Sequence, residues 1–499
     1  MNTLDFNKKL HEARYLMQVK RHPDALKVYA ELAREFPKLG NLIEEYGRAA
    51  GTAGDHVLAA QLWEKALVIG PKNADLLVRL AGEFGKIWLF DKARALSREA
   101  AELEPNNLTA QIGLASLLSR TSTVAEAREA VERCLKLDSL SEPARYFSAH
   151  LDRLENKLVE AETEFRDLLA SNLRDPHAIF FCHLELARVL DRMERFDEAM
   201  AQLKIAKQLT ARSLNMSEAQ KSFDGWRTKA LEKAKSLPKD ILKRWAEAFP
   251  VESRCAVPPL AFLGGHARSG TTLLERILDA HPLVVAGDES LAFTTIGPMI
   301  DVTAPEIPAD GLNFVRQRFL RNFRMTLGLT AEGKVLVDKN PAITSYLPPF
   351  LRAFPELRVL IALRDPRDVL VSCYFETMMN YSHLSFENLA QHYISVMGVW
   401  LAVREWEGLT WMETRYEDIV ANLEKEGSRV TKFLGLEWHE NQAIFHEKNR
   451  EKPIMSTTNY TNVTSPVYAR SKGRWRAYEK YLAPALPVLE PFCKEFGYS

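Results

Sequence analysis

The chain of 499 residues has no surplus of charge: 66 Lys and Arg stand against 66 Asp and Glu. A zero formal balance gives no global pull toward nucleic acid or an anionic membrane, and neither partner is expected. Long apolar runs are also missing. None reaches the roughly 18 residues that a membrane-spanning helix needs, so no span is expected. The first twenty residues, MNTLDFNKKLHEARYLMQVK, mix charges throughout and lack the apolar core of a secretory leader. Cysteine is scarce. Cys134, Cys182, Cys255, Cys373 and Cys493 lie far apart without CxxC spacing, so a disulfide framework is not expected and a reducing cytoplasm fits best. His266, His281, His383, His392, His439 and His446 are scattered, and no metal site is expected from them. No Ser/His/Asp nucleophile elbow occurs. With 46% hydrophobic residues, the composition is that of a soluble globular chain, long enough for about two to four domains.

The first half is periodic. Ala25, Ala59, Ala93, Ala127 and Ala161 are spaced 34 residues apart. Pro37, Pro71 and Pro105 each follow one of these by 12 residues, and Ser139 takes the fourth such place. Gly47, Ala81, Ala115 and Ala149 precede the later four alanines by 12. A further unit follows after a short slip, with Ala187, Ala199 and Ala206. Small residues let two helices approach closely, and proline ends the second one. The pattern resembles the tetratricopeptide repeat (TPR). That resemblance implies about six helix pairs over residues 1–212, stacked as a right-handed solenoid with a concave face for a peptide or protein partner. Residues 213–255 then read as capping helices, at Ser217–Leu237 and Asp240–Ala248, and a linker, PVESRCAVPP.

Residues 256–499 change character to alternating strands and helices, as in a parallel α/β sheet. The organising stretch is Ala261–Glu289. An apolar strand ends at Gly264 and Gly265. His266, Ala267, Arg268, Ser269, Gly270, Thr271 and Thr272 form a loop, and Leu273, Leu274, Ile277 and Leu278 recur at helical spacing. Strand, glycine loop and helix make a phosphate cradle, in which converging N–H groups and the positive helix end face an anion. The spacing from Gly265 to Gly270 fits a nucleotide-triphosphatase loop, but Thr271 stands where that loop needs Lys. A glycine-rich turn with no ligand would share the layout.

Downstream, Arg358–Leu363 is expected to be a strand ending in Arg364-Asp365-Pro366-Arg367-Asp368, with Ser372 at a helix start. Arg and Ser at that spacing can share one phosphate; a surface Arg–Asp pair is the plainer alternative. Val335–Val337 is a short expected strand before Asp338-Lys339-Asn340-Pro341. Tyr346–Phe354 is an expected helix. Tyr416 follows the strand-like Leu409–Met412. Near the end, Arg470, Lys472, Arg474 and Arg476 surround Trp475, a set suited to phosphates and a base, or to a solvated helix face.

RSGTTLLERILDAHP followed by GDES, together with RDPRDVLVS, closely resembles the tyrosylprotein sulfotransferases. The resemblance covers roughly Leu260–Tyr498 and implies a P-loop-like α/β sulfotransferase domain. Its sulfuryl donor would be PAPS (3′-phosphoadenosine-5′-phosphosulfate), its product PAP, and it would use no metal. By the same resemblance, Arg268, Ser269, Gly270, Thr271 and Thr272 hold the 5′-phosphosulfate, and Arg364 with Ser372 holds the 3′-phosphate. Tyr416 and Arg474 match further cofactor contacts. Glu289 matches the general base, Lys339 and Arg268 the cations at the sulfuryl group, and Asn459 a transition-state Ser. An Arg often found four residues past Ser372 is Glu376 here. Two cysteines that pair in secretory-pathway members are Ala286 and Val337, which favours the cytosol. The expected architecture is therefore an all-α TPR solenoid followed by an α/β sulfotransferase domain. The leading acceptor is tyrosine in a peptide or protein. A carbohydrate, lipid or small phenol acceptor, and an adaptor with a catalytically silent nucleotide domain, are the alternatives.

Overall fold

The computed structural model describes residues 3–19, 21–87, 89–171, 173–289, 291–327, 333–447 and 472–498. Its first part is a run of antiparallel helix pairs. These are α1 (Thr3–Gln18) with α2 (His22–Glu35), α3 (Gly40–Thr52) with α4 (His56–Ile69), and α5 (Ala74–Lys86) with α6 (Phe90–Leu103). Two more follow: α7 (Leu108–Thr121) with α8 (Val124–Leu137), and α9 (Glu142–Leu154) with α10 (Leu158–Ala170). Ala25, Ala59, Ala93, Ala127 and Ala161 fall on the second helix of each pair, and all five are fully buried. Gly47 shows why the position must be small. A Cβ there would lie 3.1 Å from the ring of Trp63 on the paired helix. Pro37, Pro71 and Pro105 each stand two residues past the end of α2, α4 and α6, where no helical N–H is needed. Asp55, Asn73, Asn107 and Thr123 each accept a backbone N–H three residues on, capping α4, α5, α7 and α8. The helices α1 to α10 form one unit, and the chain from α11 onward forms a second.

The second unit opens with α11 (Pro176–Arg192) and α12 (Phe196–Ser213), then α13 (Met216–Ser236) and α14 (Ile241–Ala248). Next come β1 (Leu260–Gly265), α15 (Thr271–Asp279), β2 (Val284–Asp288), α16 (Leu291–Ile296), α17 (Ala309–Leu327) and β3 (Val335–Lys339). They are followed by α18 (Leu347–Ala353), β4 (Arg358–Leu363), α19 (Pro366–Tyr374), α20 (Phe386–Val403) and β5 (Thr410–Arg415). The last elements are α21 (Tyr416–Ala421), α22 (Leu423–Phe433), α23 (Glu479–Leu482) and α24 (Leu486–Glu495). The strands form a single parallel sheet in the order β2-β3-β1-β4-β5. All six residues of β1 are buried, as expected of a central strand covered on both faces. Ala261, Leu263, Leu274, Ile277 and Leu278 pack with Val337 and Leu360 in the core. Helix α13 runs along α20, with Leu231 against Gly398.

Strand β4 coincides with the expected Arg358–Leu363. Strand β3 runs two residues beyond the expected Val335–Val337, because Lys339 still pairs with Leu263 and Asp288. The expected helix Tyr346–Phe354 is α18, one residue shorter at each end; a 3-10 turn over Pro341–Tyr346 leads into it, and proline sits in its first turn, where it suits a helix start and not an interior. No helix among the described residues is long and apolar enough to cross a membrane.

Candidate functional site

In a parallel sheet every strand ends at the same edge, and the loops leaving that edge build the crevice. Here five such ends carry Gly265, Asp288, Lys339, Leu363 and Arg415. The loop after β1 is shaped by backbone constraint. Gly265 has φ +124° and a Cβ there would lie 2.3 Å from the Ala362 carbonyl oxygen, so only glycine fits. Thr344, fully buried, bonds both the N–H and the carbonyl of Gly265 at 2.9 Å. Gly270 caps α15 at φ +90°, and Ser269 and Thr271 beside it are buried while Thr272 is half-buried. A Cβ on Gly270 would press into the Tyr416 ring at 2.8 Å. The Arg364 guanidinium lies over that ring, 5.1 Å from its centre. Tyr416 therefore joins the first loop to the end of β4.

His266 is buried in the same loop. Its Nδ1 faces the Ala267 carbonyl at 2.8 Å and its Nε2 faces His392 Nδ1 at 2.9 Å. Burial, then the neighbouring His392, holds His266 well below the ordinary histidine range, and burial holds His392 down at about 4. Both rings are neutral at pH 7. With Nδ1–H donated to a carbonyl, His266 Nε2 accepts from His392, and the pair fixes the loop rather than moving protons.

Arg268 has φ +72°, a region side-chain-bearing residues seldom occupy. Its Nε donates to Ser372 Oγ at 3.1 Å, and its Nη2 lies 3.3 Å from Glu376 Oε1. Its carbonyl accepts from Arg364 Nη1 at 3.1 Å. Arg268, Arg364 and Ser372 thus meet. The Arg268 guanidinium points to the groups expected at the 3′-phosphate, because Glu376 draws it there. Arg364 is 7% exposed. Burial lowers its basicity, and Asp368 and then Tyr416 oppose that shift.

Glu289 follows β2 directly. It too has a positive φ, +51°. Its N–H donates to the Lys339 carbonyl at 2.7 Å, and its carboxylate Oε1 accepts from Lys339 Nζ at 3.4 Å. Lys339 is fully buried, whereas the Glu289 side chain is 44% exposed. Among the described residues, the other positive-φ positions outside glycine are Asn156 and Glu194, both just past a helix end, where that conformation is an ordinary helix stop. Arg268 and Glu289 follow strands instead, and strain held at such positions points to function.

Arg474 sits in a turn pinned by Asp368, which accepts the N–H groups of Gly473 at 2.6 Å and Trp475 at 2.8 Å. The Arg474 guanidinium pairs with Asp191 of α11 at 2.9 Å and stacks over Phe375 at 4.4 Å. Its charge is therefore spent on the helical segment. Asn459 lies outside the described residues. Nothing in the sequence marks Thr344 or Asp191. Thr344 belongs to no local motif, and Asp191 sits in the repetitive half, where the small-residue pattern dominates.

Residues 259–440 match the model of the family described as the sulfotransferase family. An uncharacterized protein of Aquifex aeolicus (strain VF5) is 24% identical over 427 residues, covering 80% of this chain and 52% of that protein. Protein-tyrosine sulfotransferase 1 of Danio rerio is 25% identical over 203 residues, 38% of this chain and 56% of that one. The chain thus spans about half the length of these curated relatives. Among solved structures, a tetratricopeptide repeat protein from Parabacteroides merdae is 18% identical, with a TM-score of 0.36, over 40% of this chain and 77% of its own.

Proposed function

We propose that this chain, through its sulfotransferase-family segment, moves the sulfuryl group of PAPS to an acceptor hydroxyl, with tyrosine of a peptide or protein as the leading acceptor. One observation carries the reading. Glu289 and Lys339 meet at the sheet edge that also bears Arg268, Arg364 and Ser372. The donor set fits a doubly phosphorylated nucleotide. The backbone of Ser269 to Thr272 and the start of α15 would hold its 5′-phosphate, with the two threonine hydroxyls. Arg364, Ser372 and Arg268 would hold its 3′-phosphate. When bound, PAPS supplies an activated sulfuryl group on a phosphate leaving group.

The chain's own residues have separate tasks. Glu289 accepts the proton of the acceptor hydroxyl, a need set by a phenol pKa of about 10. Lys339, held rigid by burial, would offset negative charge on the leaving side of a bound PAPS. Tyr416 orients Arg364. Asn459 completes the proposed set, and Arg474 would join it by exchanging Asp191 for a phosphate. A polypeptide bound by the TPR-like repeats is part of the reading. A reducing compartment is also proposed, because Ala286 and Val337 are direct cross-strand partners. Two cysteines at those places would be neighbours; here the pair is apolar.

The test is transfer of labelled sulfur from PAPS to candidate acceptors. Label on a tyrosine peptide supports the proposal. Label only on a glycan, lipid or small phenol would change the acceptor, and PAP binding without transfer to any acceptor would count against an enzyme.

A further inference from the structure

Helix α12 sends one lysine into this region. Lys207 is 4% exposed. Its Nζ donates to the Glu376 carbonyl at 3.5 Å and lies over the Tyr374 ring at 5.1 Å. Neighbouring α11 contributes Arg188, whose Nη2 donates to the Phe375 carbonyl at 2.8 Å while its Nη1 pairs with Glu185. Both cations reach the turn that ends α19, just past Ser372. A chain of contacts results: Ser372 to Arg268, Arg268 to the Glu376 carboxylate, and the Glu376 main-chain carbonyl to Lys207, which also feels the Glu376 charge.

That chain poses a charge problem. Glu376 is an anion one helical turn from Ser372, at the place proposed for a dianionic phosphate. It offsets Arg268 and would repel the ligand. The Glu376 side chain is only 16% exposed, and a carboxylate so placed is costly when a counter-ion leaves it, so turning Arg268 to a phosphate calls for compensation from a neighbouring cation. Resting on the PAPS reading above, we propose that Lys207 is that cation, a positioning residue for the 3′-phosphate that compensates Glu376 when the phosphate claims Arg268. The α11–α12 pair is then a working part of the nucleotide site. Burial lowers Lys207 to about 8, with Glu376 and then Cys373 opposing the shift and Arg188 adding to it. His383, kept neutral by burial, also feels this charge. Deprotonation of Lys207 would remove the compensation, so affinity for a 3′-phosphate should fall above about pH 8.

The experiment is calorimetry on the full chain with PAP and with adenosine 5′-phosphate, which lacks the 3′-phosphate. K207M should weaken PAP by at least about tenfold and leave adenosine 5′-phosphate within about twofold. Lys207→Arg should keep most PAP affinity. Adding Glu376→Gln to K207M should restore it, since no carboxylate then needs a partner. A lysine that merely braced α12 would weaken both ligands together and would not be rescued. If K207M fails to fold, Glu376→Gln alone should raise PAP affinity and flatten its dependence on pH above 8; no change in either would overturn the proposal. Wild-type protein that ignores PAP would overturn the cofactor reading itself. Wild type that binds PAP, beside a folded K207M that binds it equally, would overturn only the role of Lys207.

Discussion

Replacing Glu289 by Gln removes one charge and one basic site while keeping the shape of the side chain. The Lys339–Glu289 contact is 3.4 Å long, and the Glu289 side chain is 44% exposed. Solvent screening limits the ion pair on the Glu289 side to roughly 1 kcal/mol or less, and the Gln oxygen can still accept from the buried Lys339 Nζ, so folding should change little. PAP affinity should stay within about twofold, since the proposed phosphate contacts lie on other residues. The chemical step should fall by about a hundred- to ten-thousandfold, the usual contribution of a positioned base. Single-turnover transfer from labelled PAPS to a series of phenols reads this directly. The deficit should shrink as the phenol becomes more acidic, because such acceptors ionise without help. Equal loss of turnover and PAP affinity, or a deficit indifferent to phenol acidity, would refute Glu289 as the base.

Other perturbations separate the remaining roles. Arg364→Ala should weaken PAP far more than adenosine 5′-phosphosulfate, which lacks the 3′-phosphate; similar weakening of both in calorimetry would sink the assignment. Gly270→Ala must hold φ +90° and push the Tyr416 ring from 2.8 Å. It should cost about 1–3 kcal/mol in denaturant unfolding and weaken PAP about tenfold, whereas an unchanged midpoint and affinity would contradict the loop geometry. His392 is held at about 4, below its ordinary 6.5. The unfolded chain therefore binds the extra proton first, and stability should fall as pH drops from about 6.5 toward 4, by up to roughly 1.4 kcal/mol per pH unit. Part of that slope should vanish in His392→Gln; an identical slope would show that this ring does not contribute.

The repeat architecture was legible because one residue type carries it. Ala25, Ala59 and their successors are the contact points of paired helices, and each is fully buried. The glycine loop was equally legible, since Gly265 and Gly270 answer to backbone angles that other residues avoid. Long-range partnerships were not. No local pattern marks Thr344 as the clamp on Gly265, or joins Asp191 to Arg474 across 283 positions. The direction of Arg268 was also hidden, because it depends on Glu376, 108 residues away, and not on its own loop.

The central claim is that the turn between β1 and α15 grips a sulfated nucleotide and not a triphosphate. Isothermal calorimetry of the intact protein with PAP and, separately, with ATP and Mg²⁺ tests it most directly. The account predicts tight, stoichiometric uptake of PAP and little heat from the triphosphate; strong ATP–Mg²⁺ binding with no response to PAP would contradict it.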